Sequence, residues 1–308
     1  MRPLVIWRFC DGKAGHDHQS QGLLGALARL RPVESFTLNP PPVRQTLFSL
    51  IRGAVPEWRE LPTPDLLIGA GHRTHLALLT ARRCRGGKII VLMRPTLPFG
   101  LFDLCLIPDH DSPPSRPNIL PTRGALNHLQ PSSTLEPDRG LLLIGGPSTH
   151  FGWDNAGLHR QIAAILAADP AMHWTLTTSR RTPLDFLKSC PFQHGLEARA
   201  TSRLTVVPVA ETGPDWLPAQ LAQSGQAWVT ADSVSMVYEA LTVGAAVGIL
   251  DVPHLRPSRV SRGLAQLAAQ GWVTPFTHWL QGQTLHRPPQ TFNEAERCAR
   301  WIVEQWLA

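Results

Sequence analysis

The sequence predicts an α/β protein with two doubly wound parallel sheets that face a cleft, each sheet forming a Rossmann-like domain. Short apolar runs of strand length alternate with helical patterns throughout the 308 residues. That length is enough for two domains, each with its own core. Residues 127–139 are polar and contain two prolines, which predicts a linker. We therefore expect domains over 1–130 and 140–290, followed by a C-terminal helix over 291–308.

The first half of the chain contains a series of apolar runs that have the length of β-strands. Helical patterns separate these runs, which indicates βαβ units and a parallel sheet. The predicted strands are 4–9, 33–38, 65–70, 88–93 and 103–108, and the clearest predicted helices are 19–30 and 74–84.

The second half repeats the same alternation, which predicts a second sheet of the same kind. The predicted strands are 141–145, 174–177, 204–208, 227–230 and 246–250, and the predicted helices are 155–168, 214–224, 233–243 and 260–269. The last helical pattern, 293–306, starts with Glu294 and Glu296 and carries apolar residues such as Trp301 and Ile302. We expect this helix to pack back across the domain boundary.

Composition limits the class of protein. No stretch approaches the roughly 20 apolar residues of a membrane span. The first apolar run is short and is followed by Arg8 and Asp11, as in a first strand and unlike a signal peptide. We therefore expect a soluble, cytoplasmic protein. The cysteines, at positions 10, 84, 105, 190 and 298, are odd in number and lack a Cys-x-x-Cys pair, which predicts small core residues and no disulfide framework or zinc site.

Charge is unevenly distributed along the chain, whose net charge is +6. Residues 1–135 carry 16 Lys and Arg against 9 Asp and Glu, whereas residues 136–308 carry 13 against 14. A basic first half suits anionic lipid headgroups or a phosphorylated substrate, and it predicts a peripheral location at the inner face of the cytoplasmic membrane. An arginine-rich proteome would give the same excess, so both interpretations stay open. The arginines are dispersed, so no nucleic-acid partner is expected.

The loop after the first predicted strand, residues 10–20, concentrates ionisable side chains. It contains Asp11, His16 and two glycines, but neither a P-loop nor a dinucleotide-binding glycine motif. In doubly wound sheets, ligands bind beyond the carboxyl ends of the strands. His16 or Asp11 is therefore our candidate for the base that takes a proton from a substrate hydroxyl. Two alternatives stay open, a metal site at His16 and His18 and a polar loop that caps the next helix through Asp17.

Three loops of the second half carry small residues, hydroxyls and arginines at the ends of predicted strands. Such loops, with the positive end of a helix, are suited to a diphosphate, and a carboxylate further along that helix can accept hydrogen bonds from ribose. The candidate donor-site residues are Gly145, Gly146, Ser148, Ser179, Arg180, Asp232, Ser233, Ser235 and Glu239. The phosphate ligand is either Arg180 or Arg181. Ordinary turns, a capped helix and solvated arginines remain the alternatives.

Two further loops are less specific. The residues 109–111, Asp-His-Asp, are similar to the Asp-x-Asp metal box of single-domain sugar transferases, but Pro108, Pro113 and Pro114 favour a rigid loop, and no metal site is predicted. The loop 71–75 also follows a strand and suits an acceptor or the closure of the cleft. The chain has no Gly-x-Ser-x-Gly or His-Glu-x-x-His motif, so nothing indicates a hydrolase of those types.

Six motifs, in order along the chain, resemble a known family. They are DGKAGH at 11–16 with Gln19 and Ser20, GAGHRT at 69–74, PDHD at 108–111, GGPS at 145–148, TTSRRTP at 177–183 and TADSVSM at 230–236. On these motifs the chain resembles the plant mitochondrial-fission (elongated-mitochondria) factors and their bacterial relatives, which are classed as glycosyltransferases of the two-Rossmann GT-B type. The resemblance covers nearly the whole chain. It implies a GT-B fold and a nucleotide-sugar donor as substrate, with no separate cofactor.

The first-strand loop is also similar to that of the peptidoglycan N-acetylglucosaminyltransferases, which likewise ends in Gly-His. Those enzymes place a helix glutamate of their second domain on the nucleotide ribose. By this resemblance His16 is the base and Glu239 the ribose ligand. The sequence has Asp11, Gly12 and Lys13 where those enzymes have a run of glycines, so the acceptor and the base stay open.

The motifs and the resemblance together predict an inverting, metal-independent glycosyltransferase. The second domain is expected to bind the nucleotide-sugar, and the first a saccharide or lipid-linked acceptor of the cell envelope. Two alternatives stay open, a non-catalytic adaptor that keeps the GT-B fold and recruits partners to a membrane, and a nucleotide-sugar epimerase. Acidic, histidine and arginine residues are intact in all the loops, which favours an enzyme.

Overall fold

The computed structural model describes residues 2–189, 203–256 and 258–307. The chain forms two compact units, one of Met1–His128 with Asn293–Ala308 and one of Leu129–Phe292. Each unit contains a six-stranded sheet in which every strand pairs in parallel with its neighbours. The prediction of two doubly wound, Rossmann-like sheets is confirmed.

The first unit alternates strands and helices as predicted. Its strands are β1 (Leu4–Phe9), β2 (Val33–Leu38), β3 (Leu66–Ala70), β4 (Lys88–Leu92), β5 (Leu104–Pro108) and β6 (Ile119–Thr122), and its first helices are α1 (Ala14–Leu30), α2 (Val43–Arg52) and α3 (His75–Arg85). The sequence pattern did not predict α2 or β6. The helix α2 follows three prolines, which are typical of a loop, and β6 has only four residues, including a proline.

Alternation along the strands of the first sheet buries both of its faces. On β1, Leu4 and Ile6 pack in one apolar cluster with Leu23 of α1, whereas Val5 and Trp7 belong to a second cluster on the other face, with residues of α3. A strand that is covered by helices on both faces has no polar side. This burial explains why the strands read as continuous apolar runs in the sequence.

The second unit has the same construction. Its strands are β7 (Glu136–Ile144), β8 (His173–Thr178), β9 (Leu204–Val207), β10 (Ser224–Thr230), β11 (Ala246–Leu250) and β12 (Thr274–Pro275), and its helices are α4 (Asn155–Ala168), α5 (Asp185–Lys188), α6 (Trp216–Leu221), α7 (Val234–Val243), α8 (Arg259–Ala269) and α9 (Phe276–Leu280). The order of strands is β12-β11-β10-β7-β8-β9.

Two predicted boundaries in this unit are wrong. The linker predicted over 127–139 ends earlier, because β7 begins at Glu136. Pro137 has no amide hydrogen to donate. It is tolerated there because β8 pairs with β7 only from Arg139 onward, so no hydrogen bond between β7 and β8 is lost. The helix predicted over 214–224 is also shorter, since β10 begins at Ser224.

The C-terminal helix α10 (Glu294–Trp306) belongs to the first unit, where it packs against α1. Cys298, Ala299 and Ile302 are fully buried in the same cluster as β1 and α1. At its start, the Asn293 side chain accepts a hydrogen bond from the Glu296 amide. The buried Glu294 carboxylate accepts hydrogen bonds from the Arg297 guanidinium and from the backbone of the loop after β6, which fastens this end of the helix.

Cys10, Cys105 and Cys298 are buried and Cys84 is half-buried, all as free thiols, while Cys190 lies outside the described residues. Burial raises the pKa of the Cys105 and Cys298 thiols to about 12, which makes them inert core residues. Among the described helices, none combines the length and the apolar character needed to cross a bilayer.

Candidate functional site

The strand order of each sheet contains one switch point, where the chain leaves neighbouring strands in opposite directions. In the first sheet, β1 lies between β2 and β3, and in the second, β7 lies between β8 and β10. Ligands of doubly wound sheets bind beyond the carboxyl ends of the strands at this point. The loops of interest are therefore those after β1 and β3 in the first unit, and those after β7 and β10 in the second.

Asp11 and His16 form a hydrogen-bonded pair at the first switch point. Asp11 follows β1, and His16 lies in the first turn of α1. The His16 Nδ1 atom lies 3.0 Å from Asp11 Oδ2 and 3.1 Å from Oδ1. The Asp11 side chain is fully buried, whereas His16 is 18% exposed. A carboxylate on Nδ1 favours the tautomer with the proton there, so Nε2 is left as a basic nitrogen.

Gly71, directly after β3, makes room for this pair. Its φ of +83° is one that residues with a side chain rarely adopt. A Cβ at position 71 would overlap the His16 ring, at Cε1 and Nδ1, and would crowd Asp11 Oδ2. The turn is closed by Thr74, whose hydroxyl donates to the Gly71 carbonyl at 2.8 Å. The glycine is therefore required both by the backbone and by the imidazole.

Met93 directly follows β4, the strand that neighbours β3. Its φ is +70°, a strained value for a residue with a long side chain. The conformation is held by its amide, which donates to the Leu106 carbonyl at 2.8 Å, and its sulfur accepts from Gln19 Nε2 at 3.6 Å. Gln19 lies one turn after His16 on α1. The strained residue therefore adjoins the helix that carries the proposed base.

Several expectations for the first unit need correction. Residues 14–20 are not a loop, because α1 starts at Ala14, and only Gly12, with φ +79°, makes the turn. The helix begins after Lys13 with no side-chain cap, so Asp17 does not cap it. His75 of the 71–75 loop is buried, and burial lowers its pKa to about 4, which makes it a neutral core residue.

The sequence raised the question of a metal site at two places, His16 with His18 and the residues 109–111. Among the described residues, no group of three or more His, Cys, Asp or Glu side chains is placed to hold a metal ion. Asp109–Asp111 form a single 3-10 turn after β5. Burial and the nearby Glu294 raise the pKa of Asp109, which ties this loop to the charged cluster at the start of α10.

At the second switch point, the buried Asp232 carboxylate forms an ion pair with the partly exposed Arg181 guanidinium. The Asp232 side chain is fully buried, and its Oδ2 lies 2.6 Å from the Arg181 guanidinium. The same oxygen accepts hydrogen bonds from the Gly146 amide at 2.9 Å and from the Ser233 hydroxyl at 3.0 Å. Arg181 also donates to the Gly146 carbonyl at 2.7 Å. This network joins the loops after β7, β8 and β10.

The network changes the role of the two glycines. We expected their amides to surround a diphosphate, and this is wrong, because Gly145 donates to Thr230 Oγ1 at 2.8 Å and Gly146 to Asp232. A Cβ at position 145 would overlap Asp232 and Ser233, and one at 146 would overlap the Arg181 backbone. The glycines are therefore spacers that allow the loops to approach one another.

Ser148 and Ser179 are tied into local turns. The Ser148 hydroxyl accepts from the amides of His150 and Phe151, each at 3.2 Å. The Ser179 hydroxyl accepts from the Arg181 amide at 3.2 Å. Both oxygens hold their loops in shape, as in other serine turns. The Ser179 hydroxyl also lies 3.3 Å from Thr182 Oγ1, a hydrogen-bond contact, whereas the Ser148 hydroxyl can still donate its proton.

Arg180, next to Arg181, has the opposite environment. Its side chain is exposed, and within the described part of the chain it forms no ion pair or hydrogen bond. The choice between the two arginines, which the sequence left open, therefore has a physical basis. Arg181 is committed to Asp232, and Arg180 carries the available positive charge.

The start of α7 presents backbone amides without a side-chain cap. Ser233 is the capping residue, but its hydroxyl bonds Asp232 and Arg181 rather than the helix. Helix α7 has ten residues, so its first turn has the unsatisfied amides and positive end of a regular helix. Ser235 is exposed and lies four residues before Glu239, on the same face.

Glu239 is a carboxylate in a desolvated position. Burial raises the pKa of its carboxyl group from 4.5 to about 7. Among the residues that the structure describes, none hydrogen-bonds it, although the residue is half-buried. An acceptor group that is desolvated and unpaired costs stability, and such groups mark binding sites more often than structural ones.

A comparison of the whole sequence with family models decides the affiliation of the chain. Residues 14–306 match the model "Mitochondrial fission ELM1". The chain belongs to the mitochondrial fission ELM1 family. This ELM1-family protein is also 24% identical, over 361 aligned positions, to the uncharacterized protein RP120 of Rickettsia prowazekii (strain Madrid E), with 96% of this chain and 97% of that protein covered.

Solved structures show which fold the ELM1-family chain shares. It is similar to a glycotransferase of kitacinnamycin (TM-score 0.56, 13% identity, 99% of both chains). It is also similar to Phytolacca americana UGT2 in complex with UDP-2fluoro-glucose and pterostilbene (0.51, 11%, 99% of this chain and 90% of that one). A third similar structure is the Neisseria meningitidis UDP-GlcNAc 2-epimerase bound to UDP-GlcNAc (0.51, 12%, 99% and 100%). The fold is therefore of the GT-B type.

Sequence reasoning named Gly71, Arg181 and Thr182 of this ELM1-family site only as members of loops, and it missed their structural roles. Thr182 accepts from the Ser179 amide at 2.8 Å and donates to the Ile144 carbonyl at 3.0 Å. A glycine directly after a buried strand at a switch point is a signal that would have found Gly71. The roles of Arg181 and Thr182 in joining separate loops had no signal in the sequence, because Asp232 and Ile144, their partners there, lie more than thirty positions away.

Substitution of the two adjacent arginines, Arg180 and Arg181, should have different effects on the free energy of unfolding. Arg181→Ala leaves the fully buried Asp232 carboxylate without its cation, so we expect a loss of about 1–3 kcal/mol in the free energy of unfolding, after allowance for the partial exposure of Arg181. Arg180→Ala should change it by less than about 0.5 kcal/mol. Urea unfolding at neutral pH measures both. Equal effects of the two substitutions would contradict the assignment of the ion pair.

Glu239→Gln should stabilise the protein at alkaline pH. The raised pKa means that the folded state binds a proton more tightly than the unfolded one, so the native stability falls as pH rises from 4.5 through about 7. The amide has no charge to desolvate, and we expect a gain of about 1–3 kcal/mol at about pH 8 that disappears near pH 4. Thermal unfolding across this range, with the exposed Glu211→Gln as control, measures it.

Proposed function

We propose that the protein is a glycosyltransferase that moves a sugar from a nucleotide-sugar donor to a hydroxyl acceptor with inversion at the anomeric carbon. The observation that carries this proposal is the set of groups at and beside the second switch point that have no partner among the described residues. In that part of the chain Arg180 has no anionic partner, α7 begins without a side-chain cap, and Glu239 is a desolvated carboxylate without a hydrogen bond. These groups suit the diphosphate and the ribose of one nucleotide, and the GT-B fold agrees with such a ligand.

The second unit is proposed to bind the donor. The amides at the start of α7 and the hydroxyl of Ser235 would hold the diphosphate, while Arg180 neutralises its charge through paired hydrogen bonds. Glu239 would accept hydrogen bonds from the ribose hydroxyls. Asp232, Ser233, Gly145 and Gly146 act indirectly, because their contacts position the loops. Ser148 retains a hydroxyl proton for the phosphate oxygens, whereas Ser179, hydrogen-bonded to Thr182, positions its loop.

The first unit is proposed to bind the acceptor and to supply the base. The acceptor hydroxyl gives its proton to His16 Nε2, its oxygen forms a bond to the anomeric carbon, and the bond from that carbon to the diphosphate oxygen breaks. Asp11 keeps the imidazole oriented and stabilises the imidazolium that forms, as the buried acid of a catalytic triad does. The negative charge of the leaving group is taken by Arg180 and the start of α7, so the step needs no metal.

A lipid-linked saccharide at the inner face of the cytoplasmic membrane is the acceptor class that we favour. The support is the charge of the first 135 residues, with 16 basic against 9 acidic side chains. Such a surface concentrates anionic ligands and membranes. A saccharide that carries no lipid is the simpler acceptor of the same chemistry.

One observation favours a second candidate function. The Neisseria meningitidis UDP-GlcNAc 2-epimerase, bound to UDP-GlcNAc, has the same fold. An epimerase would use the same donor site and an acid–base pair, without an acceptor. Conversion of a nucleotide-sugar by the protein alone, followed by NMR, distinguishes epimerisation from transfer.

Nucleotide binding tests the donor site directly. Calorimetric titration with UDP, GDP, ADP and CMP, and with their sugar conjugates, should show saturable binding of one nucleotide. Glu239→Gln should weaken that binding about tenfold or more, because ribose loses a charged acceptor, and Arg180→Ala should do the same through the diphosphate. Glu211→Gln, an exposed acid of the same unit, is the matched control.

The outcomes of this titration are separable. Binding that Glu239→Gln leaves unchanged would show that the nucleotide occupies another position. No binding across the panel would refute the proposed transfer and would turn the interpretation to a non-catalytic adaptor with a GT-B fold.

The base is tested once the donor and acceptor are known. A positioned base is typically worth ~10²–10⁴ in rate, so His16→Ala should lower kcat by at least about a hundredfold while the affinity for the nucleotide is unchanged. Asp11→Asn should lower kcat by a smaller factor, since the imidazole keeps its place but loses its preferred tautomer. His18→Ala, on the same helix, should have little effect. Turnover of His16→Ala near that of the wild type would assign the base to another group.

A further inference from the structure

Helix α2 is oriented with its polar side inward and its apolar side outward. Thr46 and Ser49, which are 2% and 6% exposed, are its buried residues. The opposite side presents four large apolar residues with the following exposed fractions: Val43 62%, Leu47 45%, Phe48 56% and Ile51 79%. An ordinary surface helix has the reverse arrangement, so the exposed side of α2 needs an apolar partner.

The contacts of the inner side explain why the helix stays in this orientation. The Thr46 hydroxyl donates to the carbonyls of Pro41 and Pro42, at 3.0 and 3.1 Å. The Thr80 hydroxyl of α3 donates to the Thr46 carbonyl at 3.4 Å. The Thr46 bonds lie within the start of the helix itself, so its packing against α3 and the Thr80 contact hold its orientation. Rotation about its axis, which would bury the apolar side, would break the Thr80 contact and that packing.

The apolar strip of α2 consists of Val43, Leu47, Phe48 and Ile51, and the charged residues of the same helix are all positive. Arg44 and Arg52 are exposed and lie on the same side of the helix as Phe48 and Ile51. The Arg52 guanidinium lies over the Phe48 ring, at 4.8 Å from its centre. No acidic residue occurs between Glu34 and Glu57, so the whole segment that contains α2 is basic. Apolar residues bordered by arginines suit a surface of lipid tails and phosphate headgroups.

The size of the strip also favours a lipid surface over a protein partner. The helix has ten residues and exposes four large apolar side chains. A stable protein interface needs roughly 800 Å² on each partner, with about 20–30 residues a side. A short amphipathic helix that carries arginines can instead bind a bilayer reversibly, because lipids adapt to its shape.

We propose that α2 is a membrane-docking helix, which lies in the interface of an anionic bilayer with Val43, Leu47, Phe48 and Ile51 among the acyl chains and Arg44 and Arg52 at the phosphates. The inference does not rest on the transfer reaction proposed above, because lipid binding reports on it without any donor or acceptor. It names the element through which the basic first unit reaches a membrane.

Vesicle co-sedimentation of the full-length protein tests this proposal. We expect the wild type to bind vesicles of mixed phosphatidylglycerol and phosphatidylcholine, and to bind pure phosphatidylcholine at least about tenfold more weakly. Phe48→Ser/Ile51→Ser should lower binding to the anionic vesicles about tenfold or more, since both side chains would leave the acyl region. Arg44→Gln/Arg52→Gln should remove most of the preference for anionic lipid and most of the sensitivity to salt.

The second unit offers a matched control. Leu184 and Leu280 are 89% and 60% exposed, so Leu184→Ser/Leu280→Ser removes a similar apolar area elsewhere and should leave vesicle binding unchanged. All these side chains are exposed, and equal thermal midpoints will show that the variants fold. Absence of wild-type binding to the anionic vesicles, or equal losses in both serine pairs, overturns the proposal. Concentration-dependent dimerisation abolished by Phe48→Ser/Ile51→Ser would assign α2 to a second copy of the chain and would also overturn it.

Discussion

Parallel strands covered by helices on both faces impose one constraint from which the rest of the structure follows. Every connection must cross a face of the sheet, and where successive connections leave in opposite directions, the ends of two neighbouring strands stay uncovered. Both sheets contain such a point, between β1 and β3 and between β7 and β10. All the candidate catalytic and donor-site residues follow strands of these two sheets. The topology therefore brings the candidate residues together at these strand ends.

A buried carboxylate organises each switch point. Asp11 holds the His16 imidazole, and Asp232 holds the Arg181 guanidinium, and both carboxylate side chains are fully buried. In each case glycine allows the close approach, Gly71 at the imidazole and Gly145 with Gly146 at the ion pair. These two buried acids have partners, whereas Glu239 has none within the described part of the chain and its carboxyl group has a raised pKa. This contrast separates the residues that shape the loops from the residue left available for a ligand.

Much of the fold could be predicted because the strands of β1, β3, β4 and β11 are short, apolar and bounded by turn residues. The start of α1 was predicted too late because glycine and histidine in its first turn are typical of loops. Helix α2 escaped prediction for a different reason, because the three prolines that precede it are typical of a loop. The helical spacing of its apolar residues would also predict burial, whereas these residues face away from the protein.

The sequence by itself determined the α/β class, the two sheets, the family, and the residue types at each strand end, because hydrophobic periodicity and turn chemistry are local. Only the tertiary structure decided which of those residues are available. Asp232 pairs with Arg181 and with the Gly146 amide, whereas Arg180 and Glu239 have no partner among the residues that the structure describes. It also decided which side of α2 is outward. These are contacts between segments far apart in the chain, and hydrogen-bond partners of that kind are chosen by the packing of strands and helices rather than by any nearby residue.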